Sequence, residues 1–222
     1  MIVPRFRCLV LDHDDTVMES TRYLHYPAFL LGMQVLRPEV TMSLEDFFRM
    51  NMSPGIHDYY RKVVKLSDEE YQYEFDVWQD YVRSHIPGVY PGMARIIRRQ
   101  TELGGHVCVS SHSVSENIRR DYRENGLAEP ELIYGWELPP EQRKPAPFAL
   151  KDIMERLSLQ PEELLVVDDL RFGCEMAKSC SVASAAAGWG YDIPEIRAVM
   201  EKAADRYFET AEELEAWLFP EK

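Results

Sequence analysis

The chain has 222 residues, 45% of them hydrophobic and 11% aromatic, enough to bury one large core or a medium one with a smaller companion. Its 25 Lys and Arg face 38 Asp and Glu, a formal net charge of −13. That field disfavours nucleic acid and anionic membrane as partners, within a Debye length of roughly 8 Å at physiological salt. An anionic ligand must then be caught by local positive charge or by a metal. No window reaches the ~20 apolar residues of a membrane span, and residues 1–7 hold no apolar stretch of leader length. Cys8, Cys108, Cys174 and Cys180 show no CxxC spacing and no disulfide framework. A soluble, reducing, cytoplasmic setting is expected; the oligomeric state is open, with a monomer admissible.

The first element is an apolar strand over residues 6–11. Directly after it comes Asp12-His13-Asp14-Asp15-Thr16. Residues 17–90 then carry only helical signals. Leu44, Phe47 and Phe48 follow a Ser43-x-x-Asp46 cap. Tyr71, Phe75, Trp78 and Val82 form a stripe behind a Ser67-x-x-Glu70 capping box. Residues 87–92, rich in Pro and Gly, read as the return linker. From there strands and helices alternate. A helix with Met93, Ile96 and Ile97 stops at Gly104-Gly105, and a strand spans 106–110. The next helix carries Val114, Ile118 and Tyr122, with Ser113 and Glu116 as its capping box and Gly126 as its stop. A strand covers 132–134, a helix carries Ala149, Ile153 and Leu157, a strand covers 164–167, and a weaker one covers 182–186. Continuous apolar runs alternating with helices predict an open α/β sheet with parallel strands covered on both faces. The expected division is a core of residues 1–16 and 91–222 with a helical cap of 17–90. No internal repeat or low-complexity tract is present.

In open α/β sheets ligands gather at the carboxyl ends of the strands. Carboxylates crowded there repel one another unless a cation or proton compensates. Asp12, Asp14 and Asp15 end the first strand, and Asp168-Asp169 end the fourth. Two acid-tipped strands at one sheet edge make a site for a hard cation such as Mg²⁺, with Asp12, Asp169 and a backbone carbonyl near Asp14 as the protein's share. A calcium EF-hand is excluded, because Val17 stands where its Gly is needed and Tyr23 where its Glu is needed. Ser110, with Ser111 after it, ends the second strand directly before a helix start, where a hydroxyl and free N–H groups can cradle an anion; the plain alternative is a helix cap. Lys144, before the third of these helices, is either a surface lysine or the charge that neutralises a phosphate and the acids. There is no GxxxxGK[ST] loop, no dinucleotide fingerprint and no HExxH.

These four clusters, in this order, resemble the motifs of the haloacid dehalogenase superfamily of phosphotransferases. Asp12-x-Asp14-x-Thr16 matches its first motif, Ser110 its second, Lys144-Pro145 its third and Asp168-Asp169 its fourth. The position of the insert, with Tyr90-Pro91-Gly92-Met93 and Gly188-Trp189-Gly190-Tyr191, is similar to the phosphoglycolate phosphatase and β-phosphoglucomutase branch, which carries a small helical cap. The chain departs from the pattern at Asp15, where Gly is usual, and at His13, where an apolar residue is usual. Asp15 implies a strained turn, and His13 is read as packing with no assigned role.

The resemblance implies a Rossmann-like core and a Mg²⁺-dependent phosphatase acting on a small phosphorylated metabolite. Asp12 would be the nucleophile, forming an aspartyl phosphate, and Asp14 the general acid and base. Lys144, Ser110, Ser111 and Thr16 would hold the phosphoryl group. Asp12, Asp14, Asp168 and Asp169 would serve the metal. A phosphomutase on the same scaffold differs only in what accepts the phosphoryl group. A receiver-type phosphoacceptor module is disfavoured, because there the acidic pair precedes the acceptor in sequence. A non-catalytic binding protein is disfavoured by the full set of motifs. In the cap, Arg49, His57 and Arg61 flank the turn at Asn51-Met52-Ser53-Pro54-Gly55. They are candidates, as a group, for contacting the leaving group; singly, each reads as a solvated helix residue.

Overall fold

The computed structural model describes residues 4–220; the expected domain limits at residues 1 and 222 lie outside these. The chain divides into two compact units, Met1–Glu19 with Gly88–Lys222, and Ser20–Pro87.

The larger unit holds six parallel strands, β1 (Cys8–Leu11), β2 (His106–Ser110), β3 (Leu132–Tyr134), β4 (Leu164–Asp168), β5 (Ala183–Ala187) and β6 (Arg206–Phe208), in the order β3-β2-β1-β4-β5-β6. This is the doubly wound arrangement. It reverses direction at β1 and β4, which opens a crevice at their carboxyl ends. The helices of the chain are α1 (Tyr26–Leu36), α2 (Leu44–Met52), α3 (Ile56–Asp58), α4 (Asp68–Ser84), α5 (Pro91–Glu102), α6 (Ser115–Glu124), α7 (Phe148–Leu157), α8 (Arg171–Ser179), α9 (Pro194–Ala203) and α10 (Ala211–Leu218). Alternate strand residues feed two cores. Leu9, Leu11, Leu165 and Val167 pack with α5, α6 and α10 through Met93, Ile97, Tyr122 and Leu214. Cys8, Val10, Leu164 and Val166 pack with α7 and α8 through Leu150, Ile153 and Met176. Both faces are dry, which is why the strands read as unbroken apolar runs.

Three details differ from the sequence expectation. The edge strand β6 carries no apolar run. Only Phe208 is buried in it, and it pairs with β5 alone. Ser113 does not cap α6. The helix begins two residues later, and Glu137 from a distant loop accepts from the Ser115 N–H and hydroxyl at 2.9 and 2.8 Å. Residues 17–19 and 88–90 stay with the larger unit. Met18 bridges Asp14 and Val89, Glu19 N donates to Gly88 O, and Tyr90 N donates to Val17 O. The smaller unit therefore starts at Ser20 and ends at Pro87. Cys174 lies inside α8, and all four cysteines are free.

The smaller unit is helical throughout. A π-helical turn, Thr21–His25, runs into α1, and α3 runs into a second, Tyr59–Val64. Ser43 caps α2, and Ser67 with Glu70 forms the capping box of α4. Phe29, Met33, Phe47, Met50, Tyr60 and Leu66 make its core. Arg49 pairs with Glu45 and Asp46 on its own helix. Arg61 pairs with Asp68 and lies 4.1 Å over the Tyr71 ring, whose hydroxyl meets His57. These three residues are thus held by local partners.

Glu74 of α4 is buried against Gly32 and accepts from the Tyr60 hydroxyl. Burial pushes its carboxyl up to about 7, the hydroxyl opposing only in part. Folding then favours the protonated acid, so stability falls as pH rises from the ordinary carboxylate range to about 7 and stays low above it. Glu74→Gln keeps an acceptor for Tyr60 and removes the titration. It is expected to stabilise the protein at pH 8, by at most roughly 3 kcal/mol, with much less gain at pH 5; urea unfolding at the two pH values measures this.

Among the described residues no helix is long and apolar enough to cross a membrane.

Candidate active site

β1 and β4 are neighbours in register, and Asp12 N donates to Val167 O at 2.8 Å. The acids that follow the two strands therefore meet. One oxygen each from Asp12, Asp168 and Asp169 lie within 4.8 Å of one another, and all three residues are buried. Lys144 reaches them from the loop before α7, its Nζ donating to Asp12 Oδ1 at 2.7 Å and to Asp168 Oδ2 at 2.6 Å. The ammonium is itself buried. Burial alone would lower its pKa, but Asp12 and Asp168 more than offset that, so it stays charged. The other Asp168 oxygen accepts from Leu170 N at 2.8 Å, so both of its oxygens are engaged. Gly173 of α8 lets the backbone come this close; a Cβ there would stand 2.2 Å from Asp168 Oδ2.

Lys144 pairs with two of the three carboxylates, Asp12 and Asp168, while Asp169 accepts from the Tyr191 hydroxyl, so one ammonium faces a cluster of three acids. The acids register this. Burial, reinforced by Asp12, pushes Asp168 up to about 7 despite Lys144. Burial and then the charges of Asp12, Asp168 and Asp15 push Asp169 well above the carboxylate range. A divalent cation fits that charge, and the donor set of carboxylate oxygens suits a hard ion.

Asp14 is not part of this convergent trio. Its carboxylate accepts from the Ser113 hydroxyl. Asp15 sits at φ 54°, the left-handed conformation its position implied, at a cost of about 1 kcal/mol for a non-glycine residue. Ser110 ends β2 but does not precede the helix directly, since α6 starts at Ser115; its Oγ lies 4.0 Å from Met176 Sδ. Ser111 N donates to Tyr134 O, and its Oγ accepts from Ser113 N. Thr16 is wholly buried with its hydroxyl unpartnered, and its carbonyl accepts from Trp189 Nε1 at 3.0 Å. His112 holds the Lys144 loop by its carbonyl, at 3.1 Å, and packs edge-on against Phe172 and Trp136. Arg143, next to Lys144, donates to Leu138 O and lies 3.7 Å over the Trp136 ring.

Sequence reading missed three contacts here. Ser113 meets Asp14, Trp189 holds the Thr16 carbonyl, and the Tyr191 hydroxyl reaches Asp169 O and Oδ2 at 3.0 and 3.1 Å. The tryptophan and tyrosine stood in the segment after β5 that carried part of the resemblance, which was the available signal. A separate cavity of about 490 Å³ is lined by Tyr90, Trp189, Arg197 and Tyr207 among others, and none of the converging acids lines it.

Residues 9–187 match the family model of haloacid dehalogenase-like hydrolases. The chain belongs to this family. Among curated relatives, a phosphoglycolate phosphatase of Vibrio vulnificus (strain CMCP6) is 26% identical over 142 residues, 62% of this chain and 61% of its own. The chain thus spans about three fifths of the length of that relative. The fold is shared with a predicted phosphoglycolate phosphatase from Haemophilus somnus 129PT, at TM-score 0.77 and 18% identity over 95% of this chain and 96% of that one. It is also shared with CbbY from Rhodobacter sphaeroides, solved in complex with phosphate, at TM-score 0.72 and 17% identity over 94% and 96%. In this member of the haloacid dehalogenase-like hydrolases, Asp12 and Asp168-Asp169 stand at the ends of the two strands that flank the switch point, and Lys144 meets Asp12 and Asp168 there.

Proposed function

We propose that this hydrolase is a Mg²⁺-dependent phosphatase that cleaves a small phosphomonoester through a covalent intermediate on Asp12. The observation that carries the reading is Lys144 bound to both Asp12 and Asp168 inside a buried trio of acids. A carboxylate at the end of a strand, beside a fixed ammonium, is a competent nucleophile towards phosphorus. Its attack forms a P–O bond to Asp12 and breaks the bond to the leaving oxygen. Asp14 gives that oxygen a proton, then takes one from the water that attacks the acyl phosphate. Ser113, hydrogen-bonded to the Asp14 carboxylate, orients it for both transfers. Lys144 offsets charge on the equatorial oxygens, with Ser110 and Ser111 at the end of the neighbouring strand β2. Asp12, Asp169 and the Asp14 carbonyl, with Asp168 beside them, would hold Mg²⁺, which when bound would neutralise phosphoryl charge. The reducing cytoplasm is the proposed setting.

The test is phosphate release over a panel of small phosphomonoesters, phosphoglycolate first because the relative above bears that name. Mg²⁺ is expected to be required, EDTA to abolish release, and Mg²⁺ to raise the melting temperature by relieving the acid cluster. Asp169→Ala should remove that rise. Release that resists EDTA, with a melting curve indifferent to Mg²⁺, would contradict the reading, and an isomerised sugar phosphate in place of free phosphate would turn it towards a mutase.

A further inference from the structure

His13 lies between the two acids of the first motif, and its side chain is committed elsewhere. Its Nε2 meets Asp121 Oδ2 of α6 at 3.1 Å, both side chains being 2% exposed. The other Asp121 oxygen accepts from Arg120 Nε and Nη2 at 2.9 and 2.7 Å, which fixes that carboxylate from the far side. The imidazole stacks on the buried Tyr122 ring, with centroids 6.1 Å apart. The His13 carbonyl accepts from both Val17 N and Met18 N, so the same residue also closes the turn that bears Asp12 and Asp14.

A buried imidazole–carboxylate pair loses hydration on both sides, and apolar residues of similar volume commonly serve stability as well or better. The His13 Nδ1 and the Tyr122 hydroxyl are left without partners, so packing stability is not what this arrangement optimises. The turn it holds is strained at Asp15, φ 54°. Such backbone persists only where its surroundings over-determine it. The segment that follows β2 ties down successive residues of the turn, Ser113 holding Asp14 and Asp121 holding His13.

We propose that His13 is a positioning residue. Through its hydrogen bond to Asp121 it anchors the strained turn to α6 and so fixes where Asp12 and Asp14 stand. This rests on the phosphatase reading for its consequence in turnover, but not for its consequence in the motion of the turn.

The experiment compares wild type with His13→Phe, which keeps a ring against Tyr122 without the hydrogen bond, His13→Gln, which keeps an N–H donor, and Asp121→Leu. Two quantities are read: Mg²⁺-dependent hydrolysis of p-nitrophenyl phosphate, and amide hydrogen exchange across residues 12–18 by mass spectrometry. His13→Phe is expected to lower kcat by about 10- to 100-fold with KM unchanged, the cost of a sub-ångström misplacement. Exchange in the turn should quicken by about tenfold while β1 and β4 keep their protection. His13→Gln should recover most of both quantities. The double variant His13→Phe/Asp121→Leu should lose no more than His13→Phe alone. Wild-type kcat and wild-type exchange in His13→Phe would overturn the proposal, as would faster exchange spread evenly over the larger unit. If the wild type hydrolyses nothing, the phosphatase reading fails, and the exchange pattern alone decides whether His13 anchors the turn.

Discussion

Asp12→Asn is expected to abolish turnover, by on the order of 10⁴-fold or more, while the protein stays folded. The amide keeps the shape of the side chain but cannot attack phosphorus, and loss of a nucleophile usually removes nearly all that the assembled site contributes. The substitution also takes one negative charge from a trio that has a single lysine to share. Lys144 keeps its bond to Asp168. The melting temperature without Mg²⁺ should therefore hold or rise, and its increase on adding Mg²⁺ should shrink. Inactivity in a more stable protein separates lost chemistry from lost fold. Steady-state kinetics on p-nitrophenyl phosphate and paired melting curves measure the two halves.

Lys144→Ala carries the second largest effect, and it should damage both activity and stability. Removing the ammonium leaves Asp12 and Asp168 buried without their cation, a change that typically costs about 3–5 kcal/mol. The charge that would stabilise the transferring phosphoryl group goes with it, for roughly 10²- to 10³-fold in kcat. The two acids would then take up protons or Mg²⁺ more readily, so added Mg²⁺ should restore much of the stability but little of the turnover. Arg143→Ala is the control. Its guanidinium lies over Trp136 and donates to Leu138 O, without contact to the acids. It should loosen the loop and leave kcat within a fewfold range. Equal losses in kcat for the two variants would mean that the loop acts only as a whole.

What could be read from the sequence depended on how local the deciding interaction was. β1, β2 and β4 declared themselves because both faces are dry, which writes unbroken apolar runs at Cys8–Leu11, Val107–Val109 and Leu164–Val167. The caps at Ser43 and Ser67 declared themselves because donor and acceptor lie three residues apart. The same local rule misread Ser113. An Ser-x-x-Glu pattern is present, but the hydroxyl is drawn to Asp14, 99 positions away, and Glu137 takes over the helix end. His13 looked like a packing substitution for the same reason, since its partner Asp121 lies 108 positions on. The limits of the helical insert moved inwards because isolated bridges and backbone bonds between residues 14–19 and 88–90 hold both ends to the sheet-bearing unit. β6 was silent because an edge strand of three residues with one buried side chain leaves no periodic trace. The acids and Lys144 were legible through residue type and order. That Lys144 binds Asp168 as tightly as Asp12, so that Asp168 serves the lysine and the turn at Leu170 on its two oxygens, needed coordinates.

The central claim is that Asp12 carries the phosphoryl group between the two displacements. The most direct measurement is a rapid acid quench during steady turnover of p-nitrophenyl phosphate with Mg²⁺, followed by peptic digestion and mass spectrometry. The account predicts a fraction of the peptide containing Asp12 heavier by one phosphoryl group, absent from the Asp12→Asn protein and absent when EDTA is added before substrate. Phosphate released at the same rate with the adduct on a different residue would contradict it, as would an Asp12→Asn protein that still turns over.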